Sequence, residues 1–286
     1  MNAARTAVLL ILLWCTSSSV RADAVRWLID VDDAKRQAFA DHKLILMLFE
    51  YASFDRSAKM TSEVWNQDTI IGLSRNFVCL RVDLEQMEAS RNILLKDKNQ
   101  KLIVRYRVTS VPVAVIIDAT GNLLLTFNDE NSLREIIGLL HSVPTDLNNL
   151  YAILQSLDRD KDNVRLKIAA GDEYQNLHIS HLSNSYYEEV EDEDTVKNHP
   201  LLSERIRSSR AVNLDRMGKS GEAIDIFERL VDEQPPSENR PFQLYMLTKL
   251  YAKRLKEIRA RDYYNILRKD YPQSEFTLKA WEVLKD

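Results

Sequence analysis

Cysteine, glycine, proline and histidine are all scarce in this chain. Its 286 residues include 2 Cys, 6 Gly, 7 Pro and 5 His. With thiols only at Cys15 and Cys79, a disulfide framework and any Cys-x-x-Cys pair are excluded. So little glycine and proline excludes collagen-like repeats and long flexible linkers. Neither sign of charge dominates: 39 basic against 43 acidic residues leaves a formal charge of −4. Nucleic-acid binding, which shows a strongly basic face, therefore has no footprint here. Beyond residue 22 no apolar run reaches the roughly 18 residues of a membrane span. Glycine-rich phosphate loops, a serine-nucleophile elbow and Asn-x-Ser/Thr sites are also missing. What remains is 45% hydrophobic and 29% charged, a globular composition long enough for about two domains.

The first 22 residues read as a secretory signal peptide. Arg5 supplies the positive start, Ala7 to Trp14 is an apolar run too short to span a bilayer, and Val20 and Ala22 precede a cut after Ala22. Export across the inner membrane into a bacterial periplasm follows as the expected localisation. Cleavage would leave Cys79 as the only thiol.

From Asp23 the patterning alternates between helix and strand. A helical pattern with Val31, Ala34 and Ala38 runs to about Lys43. Leu44 to Phe49 is then apolar without a break, the sign of a strand buried on both faces. Helix is expected from about Asp55 to Asn76 with a restart near Asn66 and Asp68, and a second buried strand over Phe77–Asp83. After another helical stretch ending near Arg107 come strands Pro112–Asp118 and Leu123–Phe127. Ala119-Thr120-Gly121-Asn122 joins them, Gly and Asn supplying positive φ. Ser132-x-x-Glu135 opens a helix as a capping box. The first two strands need a crossover and lie parallel, the last two share a hairpin. After Val143-Pro144 strand signals vanish, so domains are expected at 23–144 and 145–286.

Residues 24–143 resemble the exported thioredoxin-like group. The likeness rests on Phe49-Glu50-Tyr51-Ala52-Ser53-Phe54, Lys59-Met60, Glu63-Val64-Trp65, Asn76 to Asp83, Tyr106 to Pro112 and the Asp118 to Asn122 turn. It implies an α/β thioredoxin-like domain, with helices on both faces of a mixed four-stranded sheet. The family's Trp-Cys-x-x-Cys-Lys motif reads here Phe54-Asp55-Arg56-Ser57-Ala58-Lys59. Asp55 and Ala58 stand where the attacking and resolving cysteines belong, and dithiol exchange needs both sulfurs. The family's buried acid is replaced by Phe49. The resemblance also implies that Val111-Pro112 keeps a cis-proline bordering a peptide groove. Asp55 reads as a helix N-cap, and Cys79, between Val78 and Leu80, as a buried core thiol.

The second half is helical throughout, and residues 211–235 resemble a tetratricopeptide repeat at Ala211, Leu214, Gly218, Ala223, Phe227, Leu230 and Pro235. A second copy, 37 residues on, has Tyr251, Ala260, Tyr264, Leu267 and Pro272. The small residues are expected to let paired helices approach closely. The first helix of each hairpin should line a concave face, on which Arg207, Arg210, Lys249 and Lys253 form a basic excess suited to an acidic peptide. Asp158 to Asp162 mimics a calcium loop but has Asn163 and Ala169 where Gly and Glu are required. His178 and His181 share a helical face without a third ligand nearby. No metal or cofactor is expected.

These readings converge on an exported, redox-inactive interaction protein whose partner is a protein or peptide. The partner is held by the repeat face, with the cis-proline groove as a second surface. The alternative is a thiol-linked or hydrolytic enzyme using Cys79 or Asp55.

Overall fold

The computed structural model describes residues 24–89, 91–233 and 237–285. The signal-peptide segment with Cys15, and Pro235 of the first repeat, lie outside the described residues.

Strands β1 (Trp27–Leu28), β2 (Leu44–Glu50), β3 (Phe77–Asp83), β4 (Val113–Ile117) and β5 (Leu123–Asn128) form one sheet in the order β1-β3-β2-β4-β5. β2 runs parallel to β3 from Leu44↔Phe77 to Glu50↔Asp83, and antiparallel to β4 from Ile45↔Ile117 to Phe49↔Val113. All seven residues of β2 are buried, so its apolar run is a central strand covered on both faces. The sheet thus has one strand more than the pattern predicts. β1 is a two-residue edge paired to β3 through Trp27↔Cys79 and Leu28↔Leu80, too short to carry an alternation.

The covering helices are α1 (Val31–Asp41), α2 (Asp55–Met60), α3 (Asp68–Ser74), α4 (Leu84–Ala89), α5 (Ile93–Arg105) and α6 (Leu133–Ser142). α2 continues as a π-helical turn, Thr61–Trp65, before the chain restarts at α3. The expected box at α6 is present: Ser132 Oγ accepts from the Glu135 N–H at 3.3 Å and Glu135 Oε2 accepts from the Ser132 N–H at 2.7 Å.

The rest is helical: α7 (Asn148–Arg159), α8 (Val164–Asn176), α9 (Ser180–Glu191), α10 (Asp194–Lys197), α11 (Pro200–Arg216), α12 (Ser220–Asp232), α13 (Arg240–Lys253), α14 (Glu257–Asp270) and α15 (Glu275–Val283). Secondary structure changes character after α6, but the hydrophobic core does not end there. Leu147, Leu150, Tyr151 and Leu154 of the α7 region, with Tyr174 and Ile179, are buried in the same cluster as the sheet. A second cluster runs from Ala211 to Ala280.

The polar seam between the sheet and the helices centres on Asp118, which is fully buried. Its Oδ1 accepts from the Thr120 N–H (2.8 Å), Thr120 Oγ1 (2.6 Å) and the Asn122 N–H (3.0 Å). Its Oδ2 accepts from Asn122 Nδ2 (2.9 Å) and from the Tyr174 hydroxyl on α8. Of the turn residues only Gly121 has positive φ, at 90°. Asn122 was expected for its backbone and is used for its side chain.

Gly218 is a second correction. A Cβ there would meet nothing within 4 Å, so helix packing does not require glycine. Its φ of 79° does, because the end of α11 turns left-handed, with Lys219 N–H donating to Leu214 O at 2.8 Å. The same turn recurs 37 residues on, where Lys256 N–H donates to Tyr251 O at 2.9 Å and Leu255 adopts φ 56°. His178 likewise has φ 61° in the α8–α9 turn, so it shares no helical face with His181, whose Nε2 lies 2.6 Å from Leu123 O.

Candidate functional site

The Phe49↔Val113 pair is the last between β2 and β4, so Tyr51 to Asp55 and Val111-Pro112 leave the sheet at one end. The Val111–Pro112 peptide is cis. Phe54 is the N-cap of α2 and makes no side-chain cap; Asp55 is the first helical residue, exposed. The sequence therefore placed the cap one residue late. Asp55 still favours the helix N-terminus through its charge.

Polar side chains and a ring stack link the elements at this end of the sheet. Tyr51 and Phe54 stack with ring centroids 4.7 Å apart, and Phe54 is half exposed. The Tyr51 hydroxyl donates to Glu88, which holds the phenol above its usual range. Arg56 forms a two-pronged pair with Asp129 at 2.6 Å for each contact, tying α2 to the turn after β5. Ser57 is buried, and its Oγ has no hydrogen-bond partner. Ala58 and Lys59 are exposed on the same short helix. The position compared with the family's buried acid is indeed apolar, since Phe49 is fully buried. Glu50, one residue on and 1% exposed, is a buried carboxylate that position-by-position comparison passes over. It is paired with Arg81 on β3 and so held in an ion pair.

Cys79 lies elsewhere, in β3 near the opposite end of the sheet. It is 4% exposed, its Sγ is 3.7 Å from Ser74 O, and burial pushes its thiol up to about 12. Asp55 and Cys79 are thus not brought together, and the enzymatic alternative gains no joint site from the fold.

The basic face read in the helical half is largely neutralised within the chain. Arg207 forms a two-pronged pair with Glu233, one contact at 2.9 Å, which lowers the Glu233 carboxyl below its ordinary range. Arg210, its side chain only 16% exposed, pairs with Glu191 and with Glu188 at 3.2 Å. Lys253 Nζ meets Asp215 Oδ1 at 2.7 Å. Burial would raise the Asp215 carboxyl; hydrogen bonds from Lys253 and Ser220, with the Lys253 and Lys249 charges, bring it below its usual value. Three of the four cations expected on that face, Arg207, Arg210 and Lys253, therefore already have carboxylate partners. The carboxylates come from neighbouring helices, so sequence proximity on one helix could not reveal them.

Between the first helices of three successive hairpins, α8, α11 and α13, lies a cleft of about 210 Å³. Gln175, Arg205, Ser208, Val212, Asn239 and Phe242 line it. Arg205 is paired with Asp172 at 2.7 Å, and Ser208 Oγ is buried without a hydrogen-bond partner. The lining offers amides, hydroxyls and an aromatic floor rather than free charge. Nothing in the sequence singled out Ser208 or Phe242; only the stacking of hairpins collects them.

Among the described residues no cluster of three His, Cys, Asp or Glu side chains is arranged to hold a metal, and no helix is long and apolar enough to cross a membrane. Residues 31–140 match the thioredoxin-like domain family, and residues 244–274 match the tetratricopeptide repeat family. No curated protein matches the sequence. Seven solved chains do. One, titled "DsbH Oxidoreductase", is 21% identical with a TM-score of 0.39, covering 49% of this chain and 94% of its own. The chain thus carries a thioredoxin-like domain, followed by a helical region that includes a tetratricopeptide repeat.

Proposed function

We propose that this is an exported, redox-inactive interaction protein, its thioredoxin-like domain serving as a scaffold and its helical region holding a protein partner. One observation carries the reading. Residues 55–58 are Asp-Arg-Ser-Ala, and the only cysteine among the described residues is Cys79, buried near the far end of the sheet with its thiol pushed up to about 12. A thiolate that can attack and a second sulfur that can resolve are both needed for exchange, and neither is available at this loop. Domains at 23–144 and 145–286 belong to the same proposal, as functional halves over a shared core.

The partner surface we favour is the α8–α11–α13 cleft. Its amide and hydroxyl lining suits an uncharged polar peptide segment better than an acidic one, since Arg207, Arg210 and Lys253 already have carboxylate partners. The half-exposed Phe54 beside Val111-Pro112 is the second surface. Export is supported by Arg5, the Ala7–Trp14 run and Ala22, and N-terminal sequencing of the mature protein should begin at Asp23.

Purified protein should not accelerate insulin reduction by dithiothreitol, whereas Asp55→Cys with Ala58→Cys should create a reducible disulfide and partial activity. Activity in the unmodified protein would defeat the redox-inactive reading. For the partner, the full chain should capture an envelope protein. Val212→Glu should lose that capture, and Arg207→Gln should retain it. Capture unaffected by Val212→Glu but lost with Phe54→Asp would move the surface to the sheet end.

A further inference from the structure

The turn between α13 and α14 holds a large aliphatic side chain in solvent at a conformational cost. Leu255 has φ 56° and is 89% exposed, and Ile258 on the first turn of α14 is 79% exposed. The corresponding residue of the preceding hairpin is Gly218, which left-handed backbone favours. A bulky residue in that region is an outlier, and one directed outward gains no packing in return, so it points to what the side chain meets outside the chain. Both aliphatics are set among cations. Residues 253–261 read Lys-Arg-Leu-Lys-Glu-Ile-Arg-Ala-Arg, five cations and one carboxylate. Lys253 is taken by Asp215, whereas Arg254, Lys256, Arg259 and Arg261, all exposed, form no ion pair among the described residues. Lys256 and Arg259 sit over the Tyr251 ring at 6.0 and 5.9 Å, which gathers them at the turn. The Arg254 guanidinium lies against the start of α12, since a Cβ on Gly221 would come 3.1 Å from its Nη1. The neighbouring α11–α12 turn adds Arg216, exposed, and Met217, 37% exposed.

We propose that this edge of the helical stack docks on the surface of a bilayer containing anionic phospholipid. Such a surface is anionic in its outer layer and hydrocarbon beneath it. Leu255 and Ile258 enter the boundary between headgroups and acyl chains, while the flanking lysine and arginines stay at the level of the phosphates. A free anion would use the cations and leave both aliphatics in water, and a neutral bilayer would take the aliphatics and leave the cations unused. Exposure of these groups is what a surface contact requires, because each must reach past the turn to the lipid. The contact is separate from the α8–α11–α13 cleft, so it adds a membrane surface to the interaction protein proposed above.

Sedimentation with vesicles is the test, using the chain from Asp23, which keeps every described residue and removes the apolar Ala7–Trp14 run from the readout. Binding to vesicles of equal parts phosphatidylglycerol and phosphatidylcholine is expected, at least tenfold weaker to phosphatidylcholine alone. Raising sodium chloride from about 0.05 to 0.5 M should weaken it, as screening requires. Arg254→Gln with Arg261→Gln should weaken it at least tenfold. Leu255→Gly should weaken it severalfold without lowering the melting midpoint, because glycine relieves the left-handed turn; loss of binding then cannot be loss of fold. Soluble glycerol phosphate, the headgroup without its tails, should not displace the protein from vesicles. Absence of vesicle binding, equal binding to neutral vesicles, or binding that both sets of substitutions leave unchanged would each overturn the proposal. An envelope protein retained through Arg254 and Leu255, with no vesicle bound, would make this edge a protein contact and overturn it too. The vesicles contain no protein, so failure here leaves the cleft reading standing.

Discussion

Replacing Tyr174 by Phe removes one hydroxyl and nothing else from the seam between sheet and helices. Tyr174 is fully buried on α8, stacked on Tyr186 at 5.5 Å, and its hydroxyl donates to Asp118 Oδ2. Burial, then the Asp118 charge, holds the phenol far above its ordinary range, so it stays a donor throughout the stable pH range. Phe keeps the ring and therefore the packing. What is lost is a hydrogen bond to a charged group, worth about 1.5–3 kcal/mol. Asp118 retains donors from Thr120 and Asn122, so it is not left an orphaned ion, and the cost belongs near about 2 kcal/mol. For a chain of this size each kcal/mol moves the melting midpoint by roughly 2–4 °C. Tyr174→Phe should therefore lower it by about 4–8 °C. Tyr151→Phe, which loses a bond to the neutral Lys43 carbonyl, should cost less, about 1 kcal/mol. Calorimetry should give a single transition for sheet, α7 and α8 together, because they share one core. A Tyr174→Phe midpoint within 1 °C of the parent, or a helical transition that moves while the sheet transition stays, would refute the shared seam.

The left-handed turns at Gly218 and Leu255 should respond oppositely in urea unfolding: Gly218→Ala should destabilise by about 1 kcal/mol and Leu255→Gly should stabilise by about 0.5–1 kcal/mol, since Leu255 is 89% exposed and loses little packing. Gly171→Ala should destabilise by about 1–3 kcal/mol despite better helix propensity. Its Cβ would lie 2.8 Å from a Tyr187 ring that bonds to Asp172 and Gln175 hold in place. With a thiol near 12, Cys79 should be about one part in ten thousand thiolate at pH 8 and should react with a disulfide reagent far more slowly than free cysteine; fast labelling of folded protein would contradict its burial. Ser132→Ala should cost about 1 kcal/mol at neutral pH. Glu135, held below its ordinary 4.5 by the Ser132 N–H and hydroxyl, adds stability present above that value and lost as pH falls through its lower folded value. The urea midpoints of Glu135→Gln and its parent should therefore converge on acidification below about pH 4.

Much of the thioredoxin-like half is legible from local pattern. An unbroken Leu44–Phe49 run cannot be half-exposed, so it must be a central strand, and Asp55 and Ala58 decide by element type alone that no dithiol sits at that loop. The 37-residue offset and the capping box at Ser132 are likewise legible, because both are spacings along the chain. Tertiary structure decided three other matters. It closed the sheet with β1, whose two residues carry no period. It continued the core past 144 through Tyr151 and Tyr174, since aromatic residues on an amphipathic helix do not reveal which surface they cover. It neutralised Arg207, Arg210 and Lys253 with Glu233, Glu191 and Asp215. Charge in a sequence counts residues, whereas a field depends on distances across helices and strands, which only the packed chain fixes.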